Sequence, residues 1–409
     1  MTSASAAANQ SLTPISRDEF KARRDRVMQA LEGSVGLLYA GEPKGETFEC
    51  DACFAYLTGV TNEPGAALLL DPKGENPDRR AVLFLKSRDP EMEAWEGYRD
   101  PINSALKERH GFTAVMRLPS LPTLFTNAAR LSKRGSCLHP FGRFGGAASP
   151  DLAAFRKMGE VIPGFAIEDR TQVLAKARAI KSDTELALMK AAMRATHAGH
   201  AAAARAMRPG STEAHVQRAL TRAFEDAGAD GHAYHPIVGT GPNSCVLHYN
   251  ANNAPILENQ MLCLDAGAKV KGYCADVTRT FPTSGKFTDR QRDIYNLVLE
   301  AMEASIAMVK PGVSMHEVNA ATLAVFKKAG VLDFYLHGIG HHLGMETHDI
   351  TPDGPLQPGM VITVEPGLYL AAEAIGVRIE DDILVTQNGY ENLTRDIPKT
   401  AKDVEQMVG

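Results

Sequence analysis

The sequence lacks any long apolar run: nothing in its 409 residues approaches the roughly 20 consecutive apolar positions that a membrane-crossing helix needs. It also lacks a basic excess, and a formal net charge of −5 gives no reason to expect a nucleic-acid partner. The opening residues, MTSASAAANQSLTPIS, have neither a basic stretch nor an apolar core, so they do not read as a secretory signal. Residues 1–17 read instead as a flexible tail. Cysteines are few and dispersed, at Cys50, Cys53, Cys137, Cys245, Cys263 and Cys274, which fits reduced thiols in a cytoplasmic protein. Cys50 and Cys53 form a CxxC, but there is no second such pair and no thioredoxin-like βαβ context, so buried packing is the plainer reading. Internal repeats are absent. With 44% hydrophobic and 23% charged residues, what remains is an ordinary globular composition, long enough for two domains.

Two kinds of patterning divide the chain. Residues 18–170 mix strand-like runs (Val35–Tyr39, Gly65–Leu70, Ala81–Leu85) with helix-like ones (Arg17–Leu31, Ser149–Met158), the alternation of an α/β domain. Residues 171–409 open with a long helical stretch that starts at the capping box Ser182-Asp-Thr-Glu185 and ends at Pro209-Gly210. From about Gly231 the pattern is strands and hairpins, interrupted by helices over Asp289–Met308 and Ser314–Ala329.

The informative feature is a set of carboxylates inside apolar runs. Asp265 ends MLCLD and Asp276 interrupts YCADVTRTF; a lone buried carboxylate is costly unless something pairs with it. The two are an odd number of residues apart, so a hairpin turning at Val270-Lys271 places them opposite each other on one face. Glu365 in VITVEPGLYL and Glu380 in GVRIEDDILV are also an odd number apart and suit a second hairpin. Between the pairs lies YLHGIGHHLGMETHDI, which supplies His337, His341, His342 and His348. Bare carboxylates that close repel, and divalent cations resolve the conflict. Each residue has a blander reading alone: a solvated aspartate near a turn, a glutamate ending a strand, a loop histidine. Their occurrence together, in this order, is what strains those readings.

At these motifs (VGTGPNSCVLHYNAN, LDAGAKVKGYCADVTRTFP, YLHGIGHHLGMETHD, LQPGMVITVEPGLYL and GVRIEDDILVT) the chain resembles the creatinase/aminopeptidase family, and more narrowly the Xaa-Pro aminopeptidases. FAYLTGVTNEPGAALLL and KSRDPEMEAWEGYRD extend the resemblance into the first half. It implies an α+β protein: a pita-bread catalytic domain, a curved antiparallel sheet covered by helices, preceded by a smaller α/β creatinase-like domain. It further implies that Asp265, Asp276, His341, Glu365 and Glu380 hold two divalent ions, usually manganese, with cobalt or zinc also suited to such donors. Asp276 and Glu380 would bridge the ions.

The resemblance also assigns His248 to a place beside the bound proline, and His337 and His348 to the scissile carbonyl and the tetrahedral intermediate. A hydroxide shared by the ions would attack that carbonyl, with Glu365 moving protons. Tyr234, Thr278 and Arg378 fit positions that orient the ligands by hydrogen bonding. Trp95, the only tryptophan, is either core packing or a cleft residue that implies a homo-oligomer, a dimer or tetramer. His342 matches no functional position. The expected substrates are proline-containing peptides. Two alternatives stand beside this reading. One is a Xaa-Pro dipeptidase with the same chemistry, disfavoured because DITPDGPLQPG offers no arginine to clamp a proline carboxylate. The other is a non-catalytic peptide binder, disfavoured because all five ligand types are present.

Overall fold

A computed structural model describes residues 12–45, 47–142 and 145–408. They form two compact units, one of Pro14–Arg178 and one of the chain from Ala179 onward. Of the tail expected at 1–17, residues 1–11 lie outside the described residues. Ser16 already caps the first helix, Arg17–Ala30, its hydroxyl accepting the Glu19 amide.

The first unit is built on one mixed sheet of β1 (Val35–Tyr39), β2 (Ala67–Leu70), β3 (Ala81–Leu85), β4 (Ala114–Arg117), β5 (Arg134–Cys137) and β6 (Ala166–Asp169). Their spatial order is β4-β3-β2-β1-β5-β6, and β2 alone runs against the others. Val35, Leu37, Leu69, Val82 and Phe84 on the strands pack with Phe125 and Phe155 from helices Leu121–Ser132 and Pro150–Val161. The boundary falls eight residues later than the expected 170/171 division because helix Thr171–Ala179 is tied into this unit. Tyr56 donates its hydroxyl to the Ala177 carbonyl at 2.7 Å, and the buried Arg178 donates to Cys53 Sγ at 3.2 Å. That bond occupies the second thiol of the CxxC, and all six cysteines are free.

The second unit contains β7 (Gly231–His232), β8 (Ile237–Thr240), β9 (Met261–Asp265), β10 (Ala268–Val270), β11 (Tyr273–Cys274), β12 (Thr278–Pro282), β13 (Val361–Val364), β14 (Gly367–Leu370), β15 (Ile375–Arg378), β16 (Asp381–Val385) and β17 (Tyr390–Asn392). Every pairing among these described strands is antiparallel. Helices Asp183–Ala206, Glu213–Asp226, Asp289–Met308 and Met315–Lys328 pack against them, so that Val216, Phe224, Met302 and Phe326 share one core with Leu262, Leu264, Ile362 and Val364. The capping box anticipated at Ser182 is present, with reciprocal bonds to Glu185.

Strand register decides which carboxylates meet. Val270 pairs with Tyr273, leaving Lys271-Gly272 as a two-residue turn with φ of +47° and +83°, the mirror-image turn that matches strand twist. This turn lies one residue later than the expected Val270-Lys271 centre. Asp265 therefore pairs with Thr278, and Asp276 stands diagonally from Asp265 on the same face rather than opposite it. In the second hairpin Val364 pairs with Asp381 and Gly367 with Arg378, which leaves Glu365 and Glu380 at opposed positions, as expected.

One largely buried charge cluster links three segments of the first unit. His139 lies with Nε2 3.3 Å from Asp51 and Nδ1 3.2 Å from Asp151. The Asp151 carboxylate also accepts the Leu138, His139 and Leu152 amides. Burial works against a charged imidazole, yet the two carboxylates outweigh it and raise His139 to about 10; Asp151, likewise opposed by burial, falls to about 2. The raised His139 contributes stability fully below its ordinary value of 6.5 and loses it as pH rises through about 10. The depressed Asp151 contributes above 3.8 and loses that as pH falls through about 2. Hydrogen-exchange protection around residues 134–142 and 145–152 of the full chain, corrected for intrinsic rates, is therefore expected to hold to about pH 6.5 and decline towards pH 10. His139→Gln is expected to lower protection at pH 6 and flatten that slope; equal slopes in the two proteins would rule out the pair as the cause.

Candidate metal centre

Asp265 closes β9, Asp276 sits between β11 and β12, and Glu365 and Glu380 sit between ladder segments of the second hairpin. Their strands are apolar and buried, so the carboxylates have only one another and a few polar neighbours. A cavity of about 600 Å³ opens here within the second unit. Its wall includes ten of the twelve expected site residues: Tyr234, His248, Asp265, Asp276, His337, His341, His348, Glu365, Arg378 and Glu380. Thr278 stands outside the wall, donating its hydroxyl to Glu380 Oε2 at 2.7 Å and accepting from Arg378 Nε at 3.2 Å. Trp95 belongs to the first unit, on helix Pro90–Glu96, and is 86% exposed, so it is not core packing.

Donor atoms of Asp276, His341 and Glu380 lie within 4.8 Å of one another. His341 Nε2 is 3.5 Å from Asp276 and 3.6 Å from Glu365. Its Nδ1 is 3.1 Å from the His342 carbonyl, which fixes the proton there and leaves Nε2 as a lone-pair donor. Burial, with His348 stacked 3.8 Å away, lowers His341 to about 4 and keeps it neutral.

The carboxylates are under electrostatic stress. Burial first, then Asp265 and Asp382, push Asp276 well above the usual carboxylate range; burial and then Asp276 do the same to Glu380. Burial raises Glu365 to about 7. Tyr234 lies 2.5 Å from an oxygen of both Asp265 and Asp276, yet its hydroxyl has one proton to give. Arg378, the one guanidinium among the described residues of the wall, donates to Asp265 at 2.7 Å, to the Tyr369 hydroxyl at 2.8 Å and to Thr278, so all three of its nitrogens are engaged. Five oxygen- and nitrogen-bearing side chains of this kind, too crowded for their own charges, fit divalent cations.

His337 is placed differently from the simplest expectation. Its Nδ1 meets the Gly338 carbonyl at 2.8 Å and its Nε2 the Tyr369 hydroxyl at 2.7 Å, so both nitrogens are already engaged. Two contributors escaped the sequence reading. Tyr369 links Arg378 to His337, with no local pattern to announce it. Asp382, fully buried, accepts the Asp276 amide at 3.2 Å. The acidic triplet in RIEDDIL was its signal, since an aspartate two residues after Glu380 shares that strand face.

Residues 187–387 match the model of metallopeptidase family M24, and residues 20–136 that of the aminopeptidase P N-terminal domain. A Xaa-Pro aminopeptidase of Escherichia coli K12 is 33% identical, the alignment covering 97% of this chain and 99% of that protein. The mitochondrial intermediate cleaving peptidase 55 of Arabidopsis thaliana is 30% identical, over 96% and 83%. The structure of aminopeptidase PepP from Pseudomonas aeruginosa has a TM-score of 0.84 at 31% identity, covering 96% of this chain and 98% of that one. The expected architecture, an α/β domain followed by a pita-bread domain in an α+β chain, is the one these matches bear out.

Asp276→Asn removes one of the crowded charges. The metal-free variant is expected to melt at or above the wild-type temperature, because its side chain is neutral without having to bind a proton. Adding a divalent cation is expected to raise the wild-type melting temperature and leave the variant's unchanged. Equal metal-induced shifts would show that Asp276 holds no ion.

Proposed function

This chain belongs to metallopeptidase family M24, and from that premise we propose that it is a metal-dependent Xaa-Pro aminopeptidase, removing the first residue of peptides whose second residue is proline. The observation that carries this reading is the convergence of Asp276, His341 and Glu380 in a cavity whose only guanidinium among the described residues is fully engaged. Asp265, Asp276, His341, Glu365 and Glu380 would hold two divalent ions; manganese, the usual metal of the family the sequence resembles, is our assignment, and cobalt or zinc also suits such donors. When bound, such ions act as Lewis acids and bring a water's pKa towards neutrality.

The side chains account for the rest. Glu365, in the cavity wall, would take a proton from water and return it to the departing proline nitrogen. That return is essential, because an amide nitrogen departs as an amine only once it has gained a proton. His348 lines the cavity, and burial lowers its pKa, so it is a neutral donor able to support the carbonyl oxygen as charge develops. His337, its nitrogens held by Gly338 and Tyr369, acts beside it as a fixed wall and reaches a substrate only by releasing one of those bonds. His248 offers a face to the pyrrolidine ring. The substrate's free α-amine is drawn to the carboxylates, which sets cleavage after one residue.

Substrate length follows from the same inventory. A dipeptidase must neutralise the proline carboxylate, and among the described residues no uncommitted lysine or arginine lines the cavity. The reading is therefore an aminopeptidase on longer peptides. We place the protein in the cytoplasm, supported by its six free cysteines; among the described residues no helix is long and apolar enough to cross a membrane. A homo-oligomer is supported by the exposure of Trp95 and Tyr98, at 86% and 96%.

With manganese, kcat/KM for an Ala-Pro-Pro-containing peptide is expected to exceed that for the Ala-Pro dipeptide by about tenfold or more, and chelation is expected to abolish both. A clear preference for the dipeptide would overturn the assignment. Glu380→Gln is expected to cost roughly a hundredfold or more in kcat/KM with the circular-dichroism spectrum unchanged.

A further inference from the structure

Glu213, the first residue of helix Glu213–Asp226, is fully buried and lies outside the cavity wall. Thr212 caps the helix, so the Glu213 side chain is free for another task. Its Oε1 accepts the Thr240 amide at 2.8 Å, the Thr240 hydroxyl at 2.9 Å and the Asn243 side-chain amide at 3.1 Å. Its Oε2 accepts the Tyr249 hydroxyl at 2.8 Å and the Ala254 amide at 2.9 Å. Five neutral donors thus meet one carboxylate. They come from both ends and the middle of a single loop, 240–254. The part of that loop between the attachments carries Leu247, His248, Tyr249 and Asn250 into the cavity wall.

A second knot has the same design. Asn252, buried and with φ of +43°, donates to the Pro236 carbonyl at 2.7 Å and to Gln217 at 3.1 Å, and accepts the Val238 amide at 3.0 Å. The loop has little apolar anchorage at its tip: Val246 is half exposed. Its conformation must come from polar bonds, and the largest group of them ends on Glu213.

We infer that Glu213 is a positioning residue for the proline subsite: its carboxylate sets the shape of loop 240–254, and through Tyr249 it sets where the His248 face stands. The inference rests on the proposed Xaa-Pro specificity for the identity of the ligand, but not for the loop geometry. A buried carboxylate satisfied only by donors cannot be replaced by its amide. In Glu213→Gln one oxygen becomes an NH₂ group facing donors. The Tyr249 hydroxyl can rotate to accept, but a backbone amide cannot, so at least one bond fails.

The test uses the full-length, metal-loaded enzyme and a proline-second peptide. Glu213→Gln is expected to raise KM about tenfold or more while kcat changes less than about threefold, since ring binding suffers more than chemistry. Tyr249→Phe, which cuts only the central tie, is expected to shift KM in the same direction by a smaller factor. In parallel, hydrogen exchange across residues 243–252 without substrate is expected to quicken in both variants, with the melting temperature well above the assay temperature. A folded Glu213→Gln protein with KM and loop exchange within twofold of wild type would overturn the inference; if Glu213→Gln does not fold, the same outcome for Tyr249→Phe does so. Failure of the wild type to cut the peptide would count against the proposed function alone, because the exchange measurement does not depend on turnover.

Discussion

Mutual repulsion among buried carboxylates is the constraint around which the second unit is arranged. Asp265, Asp276, Glu365, Glu380 and Asp382 crowd one region, with Arg378 the sole guanidinium among the described residues of the cavity wall. Removing charges from water is costly, and placing like charges together adds to that cost. A fold keeps such a group only if other parts of the chain hold it in place. Here the holding is done by strands: each acid sits in or beside a buried apolar ladder whose register leaves little freedom to splay. Burial that drives folding elsewhere in the unit works here against the charges themselves, and cation affinity is the natural consequence.

Register explains why the acids meet on one face. In an antiparallel pair joined by a turn with an even number of residues, positions an odd number apart always project from the same side. The first hairpin turns at Lys271-Gly272 rather than one residue earlier, and the face shared by Asp265 and Asp276 survives the change. Only their offset along the strands differs, from opposite to diagonal. Parity was therefore the robust part of the sequence argument and the turn position the fragile part. A two-residue turn centred on Val270 and Lys271 would demand positive φ at a β-branched valine, whereas Lys271-Gly272 asks only one non-glycine residue to enter that region.

Much of the fold and most of the acids were thus legible, since alternation, apolar runs and capping boxes are local signals. The strand-like runs of the first unit, the helix from Asp183 and the two carboxylate-bearing hairpins all belong to that class. What was not legible is a property of long-range partners. Tyr369 joins Arg378 to His337, Glu213 gathers a loop whose attachments lie 27 to 41 residues further along the chain, and Arg178 reaches Cys53 across most of the first unit. None of these side chains sits in a pattern that distinguishes it from an ordinary tyrosine, glutamate or arginine. The domain boundary moved for the same reason: helix Thr171–Ala179 carries no mark of the unit to which its bonds attach it.

The histidine-glycine run shows how local and distant demands meet. His341 must offer Nε2 as a lone pair, which requires its proton on Nδ1, and the carbonyl of its own neighbour His342 supplies the acceptor. That carbonyl is available only if the segment lies close along β13. There the Thr363 hydroxyl accepts the His341 amide, and His342 bridges to Ile362. Such an approach leaves no room at Gly340: a β-carbon there would stand 2.2 Å from the Thr363 carbonyl oxygen, at a φ of +153° that suits glycine. The glycine that looks like loop punctuation is thus the condition for the histidine tautomer. By this route the backbone of a strand fixes the protonation of a side chain at the centre of the site.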